Sequence, residues 1–212
     1  MAGWRGHPGT VPDSAEALQS PGPAGRNQVD KERIRNAVVE LLQAIGEDPK
    51  RSGLLETPDR VAKMYEEILG GSNADVAGAL GRTHTLEHDE MVLVKDISFY
   101  SMCEHHLLPF FGVCHIAYVP DNKKIVGISK LARVVEVLSQ RLQVQEKFTT
   151  EIADAIMTNL HPKGVGVLVN ARHMCMEMRG IKKPGASTVT SVVRGIFRSD
   201  IRTREEFLKL IG

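Results

Sequence analysis

Apolar residues recur at helical spacing through Ile34, Ala37, Val38, Leu41, Leu42 and Ile45. The run follows Asp30, a natural N-cap, and Gly46 can end it. A second helix is expected to open at Thr57-Pro58, cap followed by N1 proline, with Val61, Met64, Tyr65 and Ile68 on one face before Gly70 and Gly71. Residues 72–89 read as a loop or a short helix. From residue 91 the texture becomes strand-like, at 91–95 and then 111–119, where Pro120-Asp121-Asn122 closes the second run. Helices are expected over 129–142 and 145–160, the latter stopped by His161-Pro162. Strands over 165–178 and 187–197 and a last helix over 203–211 complete the pattern. Paired strands flanking paired helices predict an α+β fold with mainly antiparallel sheet. Residues 1–28, with Pro8, Pro12, Pro21 and Pro23 among glycines, carry no periodic pattern and are expected to be a disordered tail. The expected division is therefore a tail at 1–28, a helical region at 29–90 and a catalytic body at 91–212.

A chain of 212 residues can bury a core without disulfide staples. Its formal net charge of +1 argues against a broad footprint for nucleic acid or an acidic membrane, so any strong anion site must be local. Three cysteines, an odd number, do not read as a secreted disulfide framework and fit a reducing compartment. No stretch reaches the roughly 18 apolar residues of a membrane span, and the N-terminus lacks the apolar core of a secretory signal. A cytosolic address, or a nuclear one, follows by elimination.

Cysteine and histidine then sharpen the picture. Cys103-Glu104-His105-His106 is answered about seventy residues later by His173-Met174-Cys175. Two thiolates and one imidazole, from Cys103, His106 and Cys175, suit a zinc ion and leave a fourth position for water, the mark of a catalytic site. His105 and His173 are candidate proton carriers beside it. Along the strand at 165–178, alternation sets Val165, Val167, Val169, Ala171, His173, Cys175, Glu177 and Arg179 on one face. Met174, Met176 and Met178 would then face the other way, as packing residues. Cys114 and His115 alternate within an apolar strand and read as structural.

Anion binding has its own candidates. Ser129 can cap a helix whose first turn carries Lys130 and Arg133, where free N–H groups and the helix dipole favour phosphate. Arg60 and Arg179 are further candidates, since guanidinium forks bind phosphate oxygens in pairs. In Gln143-Val144-Gln145-Glu146, a buried Glu146 could accept two N–H bonds from a guanine edge; a plain first-turn carboxylate is the alternative.

Several of these segments, in this order, resemble GTP cyclohydrolase I: residues 56–65 (ETPDRVAKMY), 101–106 (SMCEHH), 127–133 (GISKLAR), 143–146 (QVQE), 173–175 (HMC), 179–180 (RG) and 203–208 (TREEFL). The resemblance spans residues 30–212. It implies the tunnelling fold, in which an antiparallel sheet with two packed helices follows an N-terminal helical pair. Subunit sheets join there into a barrel, and two five-membered rings stack as a homodecamer with active sites between subunits. It implies zinc held by Cys103, His106 and Cys175, guanine recognition by Glu146, and triphosphate binding by Lys130, Arg133, Arg179 and Arg60 with Ser129 close by. Proton handling would fall to His105 and His173. The implied reaction is hydrolysis of GTP at C8, with His173 protonating N7, release of formate, and rearrangement to 7,8-dihydroneopterin triphosphate. Animal members bind a feedback regulatory protein that makes the enzyme allosteric, and residues 91–212 have an animal-like look, so such a partner is a further expectation. Two departures from the expected family pattern stand out, a carboxylate at Glu177, which could perturb proton transfer or pair with a nearby base, and the Pro184-Gly185-Ala186 loop. A sister enzyme acting on another pterin or deazapurine, and a non-catalytic sensor with structural zinc, are the competing possibilities.

Overall fold

Asp30 caps helix α1 (Lys31–Ala44) by accepting the Arg33 N–H, and Gly46, at φ +86°, ends it. The computed structural model describes residues 29–212; the segment 1–28, expected to be a disordered tail, lies outside the described residues. Helix α2 (Thr57–Ile68) departs from expectation at its start. Thr57 is already helical, Glu56 takes the cap position without a side-chain bond, and Pro58 sets the first turn. The two helices pack on each other, yet α1 buries only Leu42, while Leu41, Ile45 and Leu55 stay exposed.

A 3-10 turn (Gly70–Asn73), α3 (Val76–Leu80) and β1 (Thr83–Thr85) occupy the stretch read as loop or short helix. Leu80 enters the main core, and β1 pairs antiparallel with β4 (Lys124–Val126). The principal sheet has the order β5-β2-β3-β6-β7 and is antiparallel except where β5 (Leu142–Gln143) joins β2 (Val92–Cys103). β3 (Pro109–Val119), β6 (Gly164–His173) and β7 (Ser187–Gly195) form the rest.

β2 is much longer than the expected 91–95. One extra residue is inserted between Val94 and Ile97, with Asp96 at φ +56°. This bulge flips the inward parity. Val92 and Val94 face the core before it, and Ile97, Phe99 and Cys103 face the core after it. Cys103 thereby arrives on the inner face at the strand's end.

Helices α4 (Ile128–Ser139) and α5 (Gln145–Leu160) cover that face through Leu131, Val134, Val135, Leu138, Phe148, Ile152 and Ile156. His161, at φ +52°, terminates α5 in the left-handed conformation. The opposite face is covered at one end only. There Phe197 of α7 (Ile196–Ser199) and Phe207 of α8 (Ile201–Ile211) pack on Ala117 and Val119.

The structural reading of Cys114 and His115 fits what is seen. Cys114 is wholly buried, and burial pushes its thiol far above the ordinary range. His115 Nδ1 accepts the Asp96 N–H at 3.2 Å and so ties down the bulge. Burial lowers the His115 pKa below its ordinary 6.5, and the Asp96 carboxylate opposes this only in part. The unfolded chain therefore binds the extra proton first. Stability linked to His115 is full above pH 6.5 and is lost as pH falls through the lower folded value. Metal-free protein is expected to melt at a lower temperature at pH 5.5 than at pH 7.5, and His115→Gln to flatten that dependence. An unchanged slope in the variant would refute the linkage.

Candidate metal centre and its surroundings

The metal triad forms where three strand ends meet. Met102 at the end of β2 pairs with Pro109 at the start of β3, and Phe110 pairs with His173 at the end of β6. Between β2 and β3 the chain reverses tightly: Leu107 N–H donates to the Cys103 carbonyl at 2.9 Å, and Cys103 N–H to Leu108 at 2.9 Å. Leu107 takes φ +51° to close the turn. Glu104, His105 and His106 are presented, exposed, on its tip.

On the other side β6 does not continue to residue 178 as expected. It stops at His173, and Met174–Glu177 make a single helical turn, α6. The inward parity of Val165, Val167, Val169 and Ala171 holds, and His173 continues it. Beyond His173 it fails, so Cys175, Glu177 and Arg179 do not share a strand face, nor do the three methionines form an opposite stripe. Instead the turn swings Cys175 toward Cys103.

Ligand atoms of Cys103, His106 and Cys175 all lie within 4.8 Å of one another. Tetrahedral zinc ligands at about 2.0–2.3 Å sit roughly 3.3–3.8 Å apart, so one ion reaches all three after slight closure. Two sulfurs and one imidazole are also a fitting donor set for zinc. Burial raises the Cys175 thiol pKa, and the neighbouring Cys103 raises it further, against an opposing pull from Arg179. A divalent cation between the sulfurs reverses that balance, because a coordinating thiol gives up its proton. The Arg179 guanidinium lies 3.1 Å from His106 Nε2. The three triad residues are thus brought together as the sequence anticipated, and Arg179 stands beside them by way of the turn rather than a shared strand face.

His173 is half-buried, its ring stacked parallel on Phe110 at 4.8 Å. Its Nε2 lies 2.7 Å from Gln145 Oε1. Gln145 is fully buried, and its amide nitrogen donates to the carbonyls of Val169 (3.1 Å) and Thr188 (2.9 Å) and to the Thr190 hydroxyl (3.1 Å). That commitment leaves only its oxygen for His173, so His173 Nε2 carries a hydrogen and Nδ1 is the nitrogen free to gain or lose a proton. Burial lowers the His173 pKa, and the charge of Glu146 opposes the drop. The Gln143-Val144-Gln145-Glu146 motif alone assigns Gln145 no role. Only its complete burial singles it out, and burial is not visible in the sequence.

The remaining candidates are more scattered. Glu146 occupies the first turn of α5 and is exposed rather than buried in this chain. Ser129 does not cap α4: the cap is Gly127, and Ser129 lies inside the first turn with Lys130 and Arg133. Arg60 pairs with Glu56 one turn away on α2. Among the described residues, none of Ser129, Lys130, Arg133 or Arg60 makes a side-chain bond to the triad or to His173. Glu177, expected on the same strand face as the ligands, is instead turned to Arg172, which donates to it at 2.7 and 2.5 Å.

Comparison with known proteins agrees with this geometry. The family model for GTP cyclohydrolase I matches residues 34–212. The GTP cyclohydrolase 1 of Thermoanaerobacter pseudethanolicus is 59% identical over 184 residues, covering 87% of this chain and 98% of the relative. That of Clostridioides difficile is 58% identical over 186 residues, with coverage of 87% and 98%. That of Streptococcus mutans is 56% identical over 182 residues, with coverage of 86% and 95%. Among solved structures, the archaeosine synthase QueF-Like in the apo form aligns with a TM-score of 0.39 and 15% identity, covering 50% of this chain and 93% of that one. With the family model matched over residues 34–212 and relatives 56–59% identical across 86–87% of its length, the chain belongs to the GTP cyclohydrolase I family.

Proposed function

We propose that this chain is a zinc-dependent GTP cyclohydrolase I, converting GTP and water to 7,8-dihydroneopterin triphosphate and formate in the first step of pterin biosynthesis. The carrying observation is the convergence of Cys103, His106 and Cys175 within 4.8 Å of one another, in a chain that matches the family from residue 34 onward. Zinc held by those three side chains supplies the Lewis acidity that makes water a nucleophile near neutral pH. Every other task falls to the chain. Glu146 accepts the N1–H and 2-amino hydrogens of guanine. It directly follows Gln145, whose side chain holds His173 Nε2. His173, steadied by Gln145 and Phe110, delivers a proton from Nδ1 to N7 and makes C8 more electrophilic. His105, on the exposed turn beside His106, is the second proton carrier. Ring opening releases C8 as formate, and the ribose rearranges before the new ring closes.

Triphosphate binding by Lys130, Arg133, Arg179 and Arg60, with Ser129 close by, is part of the same proposal. It calls for more than one copy of the chain, since only Arg179 stands at the triad. The sheet supports such assembly. β7 is an edge strand, and β5 covers only Met102 and Cys103 of β2. Open edges invite pairing with another copy. A barrel across subunits within a homodecamer satisfies both edges, with residues 29–90 serving assembly through exposed Leu41, Ile45 and Leu55 and residues 91–212 carrying the chemistry. Three free cysteines support a cytoplasmic location. No described helix is long and apolar enough to cross a membrane. The relatives named above are bacterial and lend no support to the animal-like reading, so a feedback regulatory protein is left to a binding assay with and without phenylalanine.

Zinc-loaded, assembled protein incubated with GTP is expected to yield formate by mass spectrometry and a pterin that fluoresces after oxidation. Failure to produce either would sink the assignment. Turnover of a different purine or pterin would point to a sister enzyme. Four protein ligands by X-ray absorption would point to a structural zinc.

A further inference from the structure

We propose that Arg172 and Glu177 form a clasp that positions the metal ligand Cys175, making Glu177 a positioning residue for the zinc centre. The inference rests on the zinc reading above. α6 is a single turn of four residues, closed by one helical bond from Met178 N–H to the Met174 carbonyl at 3.0 Å. So short a helix does not hold itself together, because nucleation costs more than one bond returns. Something outside the turn must fix it, and Cys175 sits in its middle.

Arg172 and Glu177 bracket that turn. Arg172 lies on β6, one residue before the strand ends, and its guanidinium sits 5.8 Å from the Phe111 ring centre. Phe111 in turn stacks on Tyr100 at 5.5 Å, across the strand pairs Tyr100↔Phe111 and Phe111↔Arg172. The guanidinium thus lies over an aromatic ring of the neighbouring strand β3, itself stacked on β2. Glu177 reaches back five residues and meets it with both oxygens, Nε to Oε1 at 2.7 Å and Nη2 to Oε2 at 2.5 Å. This paired geometry fixes direction as well as distance. Lys183 N–H donates to the Met176 carbonyl at 3.0 Å. The loop after α6 is therefore drawn onto the same turn. With its side chain only 8% exposed and both oxygens engaged, Glu177 is neither a spare ligand nor a proton carrier. It closes a ring around residues 173–176 and sets where the Cys175 sulfur points.

Zinc affinity, measured by competition with a chromophoric chelator on the full chain, tests this. Residues behind metal ligands typically control affinity by about 10–100-fold, and Glu177→Ala is expected to weaken binding by that range. Glu177→Gln keeps one acceptor and should fall between wild type and Glu177→Ala. Arg172→Ala/Glu177→Ala should be no worse than Glu177→Ala alone, because the two act as one unit. The visible spectrum of the cobalt-substituted protein should shift in Glu177→Ala while far-UV circular dichroism stays constant. Wild-type affinity and an unshifted cobalt spectrum in Glu177→Ala would overturn the clasp. If Glu177→Ala does not fold, wild-type affinity in Glu177→Gln decides the same way. Wild-type protein that binds no zinc, or Cys175→Ala that binds it normally, would instead overturn the zinc reading itself.

Discussion

Cys175→Ala is expected to abolish zinc binding and to lower GTP turnover by at least about 10³-fold, with the fold intact. The triad offers only three strong donors, so losing one thiolate leaves a cysteine and an exposed histidine. Such a pair does not retain the ion against solvent. The fold should survive because Cys175 is only half-buried and packs against the rim of the core from a one-turn helix at the sheet's end, so its loss removes little buried surface. Cys103→Ala should show the same metal loss, with a larger penalty in stability since Cys103 is buried in that core. Zinc per chain by elemental analysis, circular dichroism and formate release together read the result. Full zinc content with normal turnover in Cys175→Ala would place the reactive metal elsewhere.

The sequence made legible whatever depends on local chemistry. α1 starts directly behind its cap Asp30 and α5 runs from Gln145 to Leu160, just before His161-Pro162, because caps, glycine and proline act within a few residues of themselves. The triad was legible too, since two cysteines with a histidine are chemically distinctive at any separation. What stayed hidden was set by contacts distant in sequence. The bulge at Asp96 is held by His115 from the next strand, and it breaks the alternation that would have revealed β2 as one strand reaching Cys103. Residues 174–178 are compatible with strand or helix on pattern alone; bonds from Lys183 and Arg172 select the turn. Ser129 looked like a cap because it is a serine beside an apolar run, but Gly127 takes the cap position in an extended conformation and the helix starts at Ile128. Gln145 matters through complete burial among Val169, Thr188 and Thr190, three partners that no spacing rule would associate.

His173→Ala should separate metal binding from chemistry: zinc retained at wild-type stoichiometry, kcat lowered by about 10²–10⁴-fold. His173 lies two residues from Cys175 but makes its contacts in another direction, to Gln145 and the Phe110 ring. Removing the imidazole therefore leaves the triad's donors in place and deletes the proton. Gln145→Met divides the role further. The methionine cannot accept from His173 Nε2, so both nitrogens become candidates for the proton and the productive tautomer is diluted. It also strands the carbonyls of Val169 and Thr188, at a cost of about 1–3 kcal/mol in stability. Its kcat should fall, though less than in His173→Ala, with zinc content unchanged and the acid limb of the pH–rate profile displaced. If His173→Ala turned over GTP normally with its zinc in place, proton transfer at N7 would have to come from His105 or from solvent. Equal loss of zinc in His173→Ala and Cys175→Ala would instead make His173 a ligand, and the wet fourth position argued from the triad would then be filled by protein.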